Sequence, residues 1–152
     1  MARRGVELVF PKRGLVARAA LLEDEAPLVC QMLWERLPIE AETIHATVSG
    51  CELYVLFPWD GPAPPKENFT ICPDAGDLFF YYAPWYAEGA QRTGEIAIYY
   101  ARDAVPMGGE GVMAGTLVAT LTHEREAFAG VCEAIWREGA EPLIVRPAQT
   151  NR

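Results

Sequence analysis

Apolar and polar residues alternate along most of this chain, more often with the period of strands than with that of helices. Residues 6–10 put Val6, Leu8 and Phe10 on one face, and 15–22 form a second apolar run after a Pro11-Lys12-Arg13-Gly14 turn. A helix is predicted from Asp24 to about Leu37. Val29, Leu33 and Leu37 lie four apart, Asp24 offers an acidic cap, and Pro27 is tolerated in the first turn. Residues 58–76 form a long loop rich in proline. Strands are predicted at 78–83, 95–101 and 113–122. The middle one has Ile96, Ile98 and Tyr100 on one face and Glu95, Ala97 and Tyr99 on the other. The period lengthens over 124–138, where Phe128, Val131, Cys132 and Ile135 make a helical stripe that ends at Gly139. A last short strand falls at 143–145. With the hairpin discussed next, the tally is about eight strands and two amphipathic helices. Strands that follow one another without intervening helices pair antiparallel, and about eight of them predict a closed barrel capped by the helices. The expected architecture is a single mainly-β domain over residues 1–152.

The stretch 43–55 predicts a β-hairpin with two chemically different faces. Ser49-Gly50 is a plausible two-residue turn. That turn would set His45 opposite Tyr54, Ala46 opposite Leu53 and Thr47 opposite Glu52. One face then collects Ile44, Ala46, Val48, Cys51, Leu53 and Val55, and the other His45, Thr47, Glu52 and Tyr54. Burial of the apolar face should pin this register, because a slip of one residue would mix the two sets.

Composition changes the picture only by exclusion. The 152 residues suffice for one core, and 51% are hydrophobic, so the chain is expected to be globular. The formal charge of −8 disfavours nucleic acid as a partner. No apolar run approaches the length of a membrane span, and Met1-Ala2-Arg3-Arg4 leads into a strand rather than a leader segment. The cysteines at 30, 51, 72 and 132 are too widely spaced for a Cys-x-x-Cys motif. They read as thiols of a reducing compartment, and a cytoplasmic protein is expected.

The order of elements, together with several local strings, resembles the cyclophilin fold. Leu21-Leu22-Glu23-Asp24-Glu25-Ala26-Pro27 looks like the entry to its first helix, Ile44-His45-Ala46-Thr47-Val48-Ser49-Gly50 like its Phe-His-Arg strand and turn, and Gly115-Thr116-Leu117-Val118 like its late strand. More closely, the chain is similar to a family of small bacterial and archaeal cyclophilin-like proteins of unknown function. The strings that carry this are Trp34 with Leu37-Pro38, Ile44-His45-Ala46, Ser49-Gly50, Pro73 with Gly76-Asp77, and Gly94-Glu95-Ile96-Ala97-Ile98-Tyr99. The resemblance implies a cyclophilin-like barrel. Prolyl isomerisation, the activity of true cyclophilins, is a disfavoured alternative, because Ala46 stands where their catalytic arginine is expected. No arginine occurs between Arg36 and Arg92, which leaves only Arg92 or Arg102 to swing in from a loop. Rotation about an X-Pro bond faces a barrier of about 20 kcal/mol, and losing the charged donor removes a main means of lowering it.

Candidate chemistry therefore centres on the polar hairpin face. His45 and Glu52 are the candidates for acid/base work, with Thr47 and Tyr54 beside them. Glu95 and Tyr99 share one face of a neighbouring strand, and Arg102 follows its end. The plainer alternatives are a solvated imidazole for His45 and an edge carboxylate for Glu95. His45 and Glu52 supply only two metal ligands, and Gly108-Gly109-Glu110-Gly111 lacks a phosphate-loop pattern, so neither a metal nor another cofactor is expected. Trp85 and Tyr86, in a loop with Gly89 and Gly94, are large aromatics suited to a lid or to contact with a second copy of the chain. The expectations are a barrel that binds a small molecule or short peptide, an acid/base enzyme using His45 and Glu52, or a homo-oligomeric interaction subunit.

Overall fold

A computed structural model describes residues 3–83 and 92–149. Trp85 and Tyr86, and with them the expected self-contact, lie outside the described residues. The strands are β1 (Gly5–Phe10), β2 (Leu15–Leu21), β3 (Ile39–Glu42), β4 (Ile44–Ala46), β5 (Glu52–Pro58), β6 (Phe69–Thr70), β7 (Asp77–Ala83), β8 (Thr93–Tyr99), β9 (Met107–Gly108), β10 (Gly111–Val112), β11 (Gly115–His123) and β12 (Pro142–Pro147). The helices are α1 (Pro27–Trp34) and α2 (Arg125–Glu138). Ten strands form one antiparallel sheet, in the order β3-β12-β1-β2-β11-β7-β8-β5-β4, with β6 also on β11; β9 and β10 make a separate ribbon. The fold is mainly β and nearly closed, as the alternation of residues predicts.

The count exceeds eight because β6 falls in the proline-rich stretch expected to be loop, β9 and β10 in the Gly-rich one, and a further strand, β3, precedes the hairpin. Ile39–Glu42 pairs with β12 at one end of the sheet, while Ile44–Ala46 pairs with β5 at the other. Thr43 joins them. It is 1% exposed, its backbone N–H and hydroxyl both donate to the Glu141 carbonyl (3.0 and 2.9 Å), and its hydroxyl accepts from the Glu141 amide (3.2 Å). One pinned residue thus carries the chain from one edge of the sheet to the other, and β3 also packs against β5. Edge strands with unpaired amides are a liability, and near-closure of this kind removes most of it.

The main core lies inside the sheet and under the helices. Leu53 and Val55 of β5, Ile96 and Ile98 of β8, and Phe128, Cys132 and Ile135 of α2 meet there. α1 contributes Val29, Cys30 and Leu33; it is shorter than expected, ending at Trp34, so that Leu37 of the expected stripe lies beyond it. Its cap differs from expectation. Ala26 precedes the helix with no side-chain bond, and the Glu67 carboxylate accepts from the Leu28 and Val29 amides (3.3 and 2.9 Å) instead. The proline-rich loop brings an acid from 38 residues away to the positive end of the helix, where a local Asp24 was expected. α2 begins and ends as predicted, and Gly139 closes it with φ +107° and an amide bond to the Ile135 carbonyl (2.9 Å). Among the described residues no helix is long and apolar enough to cross a membrane.

A second cluster lies on the opposite face of the same sheet. Phe79, Tyr81, Ala97 and Tyr99 are buried there, packed by Tyr54, Ala104, Met113 and Leu117. This quarter of the sheet is therefore covered on both sides, and that fact decides the hairpin.

Candidate functional site

The hairpin register differs from the expected one by a single residue. Ile44 pairs with Tyr54, His45 with Leu53 and Ala46 with Glu52. The connection is a five-residue loop over 47–51, not a two-residue turn. The Gly50 amide closes a turn on the Thr47 carbonyl (3.3 Å), with Gly50 at φ +91°. Ser49 is drawn inward, to 3% exposure. Its carbonyl accepts from the Val105 amide (3.0 Å) and its hydroxyl from the Met107 amide (3.1 Å). The same hydroxyl donates to Glu52. The burial argument presumed a solvated polar face, but Glu52 and Tyr54 face the second cluster, so both faces of β5 are packed. Ser49 and the segment over it set the register instead.

The slip separates His45 from Glu52. His45 shares its side of the ribbon with Leu53, and its ring lies against Tyr100 and Trp136 (centroids 5.6 and 5.1 Å), under α2. Its Nε2 is 2.6 Å from the Tyr100 hydroxyl, while Nδ1 is buried without a partner among the described residues. Burial lowers its pKa, so the ring stays neutral in the folded protein. The expected His45–Glu52 acid/base pair on a shared face is thus not formed, and Ile44 and Ala46 take the side facing Glu52 and Tyr54. Arg102 is exposed and does not line the cavity described next.

The other candidates do converge. β8 is central between β5 and β7, so its outward residues have neighbours on two sides. Tyr99 lies between Glu52 and Asp77, Ala97 between Tyr54 and Phe79, and Glu95 between Leu56 and Tyr81. Ala97 presents only a methyl group at the middle of this array. Above it is a cavity of about 260 Å³. Glu52, Tyr54, Glu95 and Tyr99 form one wall, the 45–49 segment another, and Met107 and Met113 the roof. Thr47 stands exposed at its rim. A second cavity of about 380 Å³ adjoins it across Met113 and Tyr81 and is lined by Lys66, Phe69 and Tyr82.

Burial dominates the electrostatics. Glu52 and Glu95 are 5% and 3% exposed. Desolvation and the neighbouring Glu52 charge push the Glu95 carboxyl up to about 8. Desolvation also raises Glu52, but the Ser49 hydroxyl counters it. Two carboxylates in one apolar site cannot both be charged cheaply, and at neutral pH Glu95 keeps its proton. The Glu95 Oε2 atom is buried with no hydrogen-bond partner among the described residues. Tyr81 and Tyr99 share a hydroxyl–hydroxyl bond of 2.7 Å, and burial raises both phenols. Tyr81 holds its place because Gly115 lies beneath it: a Cβ there would sit 2.5 Å from the ring.

Sequence reasoning missed Tyr81, Ser49, Met107 and Met113. Tyr81 was legible only as an alternating residue of an aromatic strand. Met107 lies in β9 and Met113 between β10 and β11, in a segment whose path over the sheet no local pattern encodes. Of the four cysteines, Cys30 and Cys132 are buried, with burial raising both thiols, Cys51 is half-buried and Cys72 exposed.

Comparison with known proteins places this geometry. McbB, solved in complex with tryptophan, has a TM-score of 0.69 at 20% identity, covering 96% of this chain and 46% of that one. This chain therefore spans about half the length of McbB. The hypothetical protein AF2241 from Archaeoglobus fulgidus, solved in solution, has a TM-score of 0.61 at 18% identity, covering 97% and 96% of the two chains. At these identities the likeness is one of fold. No curated protein matches the chain. Residues 8–145 match the family described as "Protein of unknown function (DUF3830)", and the chain belongs to that family.

Proposed function

We propose that the protein binds a small molecule in the cavity under Met107 and Met113, with Glu52, Tyr54, Glu95 and Tyr99 as its contact residues. The observation that carries this reading is Glu95, a carboxyl group 3% exposed whose Oε2 lacks a partner beside a cavity of about 260 Å³. Buried polar atoms are paired in the great majority of cases, and an orphan oxygen at a cavity wall is suited to a partner that arrives with a ligand. The size favours a small molecule over a peptide. At somewhat less than ~30 Å³ per non-hydrogen atom, the space holds roughly ten such atoms. That McbB, a protein of related fold, is described with tryptophan bound is in keeping with such a barrel holding a small molecule. Proline isomerisation is not proposed. Ala46 stands at the expected arginine position, and no arginine lines the cavity among the described residues.

Methyl NMR of the methionines tests this directly. Met107 and Met113 line the cavity, whereas Met32 belongs to α1 and serves as the internal control. A fragment library is expected to contain members that shift the Met107 and Met113 methyl signals and leave Met32 in place. A library in which none does so ends the reading.

A further inference from the structure

We propose that the ligand of this cavity is a protonated organic amine, its ammonium group seated at the Glu95 carboxyl group with Glu52 as the second acid of the same cavity, and its carbon frame set against Tyr54, Tyr99, Met107 and Met113. The inference rests on the reading of the cavity as a ligand site and adds the chemical class of its occupant.

The geometry is selective for that class. Glu52 and Glu95 lie four residues apart in register, Glu52 opposite Tyr99 and Glu95 opposite Leu56, on adjacent strands of one face. Both line the same cavity, and each is at least nine-tenths buried. Glu52 already has the Ser49 hydroxyl as a donor; Glu95 Oε2 has none. No lysine or arginine lines the cavity among the described residues, so nothing there offers a counter-charge to either carboxyl group when it ionises. The groups facing Glu95 are Tyr81 from β7, Glu52 and Tyr54 from β5, and Tyr99 from its own strand. His45 contributes to the wall, but its ring contacts lie with Tyr100 and Trp136.

An anion entering this space would meet two acids and no base. A neutral donor could pair with the free Glu95 oxygen but would bring no counter-charge to either acid. A cation supplies the missing donor to Glu95 and a counter-charge to both carboxylates, which is what buried charges require. A bare metal ion fits less well. Among the described residues no three histidine, cysteine or acidic side chains come together to hold one; beyond the two acids the wall is His45, the Thr47 and Ser49 hydroxyls, phenols, thioethers and methyl groups. Thioethers and aromatic rings suit the alkyl or aryl frame of an organic ammonium, and ring faces attract its charge. The formal charge of −8 on the whole chain adds attraction at long range.

The proposal makes binding a proton exchange. Glu95 starts protonated at neutral pH, because its carboxyl titrates at about 8. Seating an ammonium group beside it expels that proton to the buffer. Affinity should therefore rise roughly tenfold per pH unit up to about pH 8 and then level off.

Calorimetry on the full chain is the test. The probes are methylammonium, butylammonium and 2-phenylethylammonium chlorides. 2-Phenylethanol is the neutral isostere, phenylacetate the anion, and magnesium chloride the inorganic cation. Expected is 2-phenylethylammonium binding at least tenfold tighter than 2-phenylethanol, with no binding of phenylacetate or magnesium, and release of close to one proton at pH 7. Glu95→Gln should weaken the ammonium at least tenfold and abolish proton release, while 2-phenylethanol is unaffected. Glu52→Gln should weaken the ammonium as well. Equal binding of alcohol and ammonium, tighter binding of the anion, binding of magnesium in place of the amines, or no binding by any amine would each overturn the proposal. These failures are separable from failure of the cavity itself. A fragment that moves the Met107 and Met113 methyls keeps the cavity as a site even when no amine binds, and only a blank library removes both.

Discussion

Replacing Glu95 by glutamine should make this protein more stable, and by an amount that depends on pH. The carboxyl lies 3% exposed in a phenol- and thioether-lined site, and burial with the adjacent Glu52 charge lifts it from 4.5 to about 8. Between those values the folded protein holds a proton that the unfolded chain has already released. Stability therefore falls as pH rises from about 4.5 and levels off above about 8, where both states are ionised. At 1.36 kcal/mol per pH unit, that span corresponds to roughly 4–5 kcal/mol of strain at pH 8. Relaxation of the site and entry of water reduce the realised value, so roughly 2–5 kcal/mol is the expected range. Glutamine has nearly the shape of the protonated acid and never ionises. It should gain little at pH 5 and the full amount at pH 8. Urea unfolding of both proteins, followed by tryptophan fluorescence at the two pH values, reads the difference directly. Other titrating groups largely cancel in the comparison between variant and parent. A gap of the same size at both pH values would refute the reasoning, and so would a variant less stable than the parent at pH 8. Either result would mean that Glu95 is charged and solvated in the folded protein.

Two further outcomes follow from the same geometry. Tyr81→Phe and Tyr99→Phe each leave a buried hydroxyl without its 2.7 Å partner and should each cost about 1–3 kcal/mol. The double variant should cost less than their sum by about 1 kcal/mol, which a double-mutant cycle of urea midpoints measures; strict additivity would deny the bond. His45 titrates below its ordinary value because of burial, so as pH falls the unfolded chain takes up the proton first. Its contribution is present above about pH 6.5 and is lost below it. His45→Gln should flatten the decline of stability between pH 6.5 and 5, and an unchanged slope would place the ring in water.

The barrel itself was legible along the chain because its elements are amphipathic at fixed periods. Ile96, Ile98 and Tyr100 alternate with Glu95, Ala97 and Tyr99, and the structure sends the two sets to opposite faces as the alternation requires. Phe128, Cys132 and Ile135 similarly announce the buried stripe of α2. Local periodicity is a property of the backbone, so neighbouring residues suffice to reveal it. What lies between faces is not local. The hairpin register turned on Ser49, which is claimed by Glu52 and by the amides of Val105 and Met107, more than fifty residues further on. The cap of α1 was supplied by Glu67 rather than Asp24 for the same reason. Likewise, Glu95 reads as an ordinary strand-edge acid until β5 and β7 close on both sides of it and bury it. Period alone thus located the long strands, the two helices and their principal buried stripes. Only the tertiary structure decided which polar groups would be desolvated together, because desolvation depends on what distant segments cover.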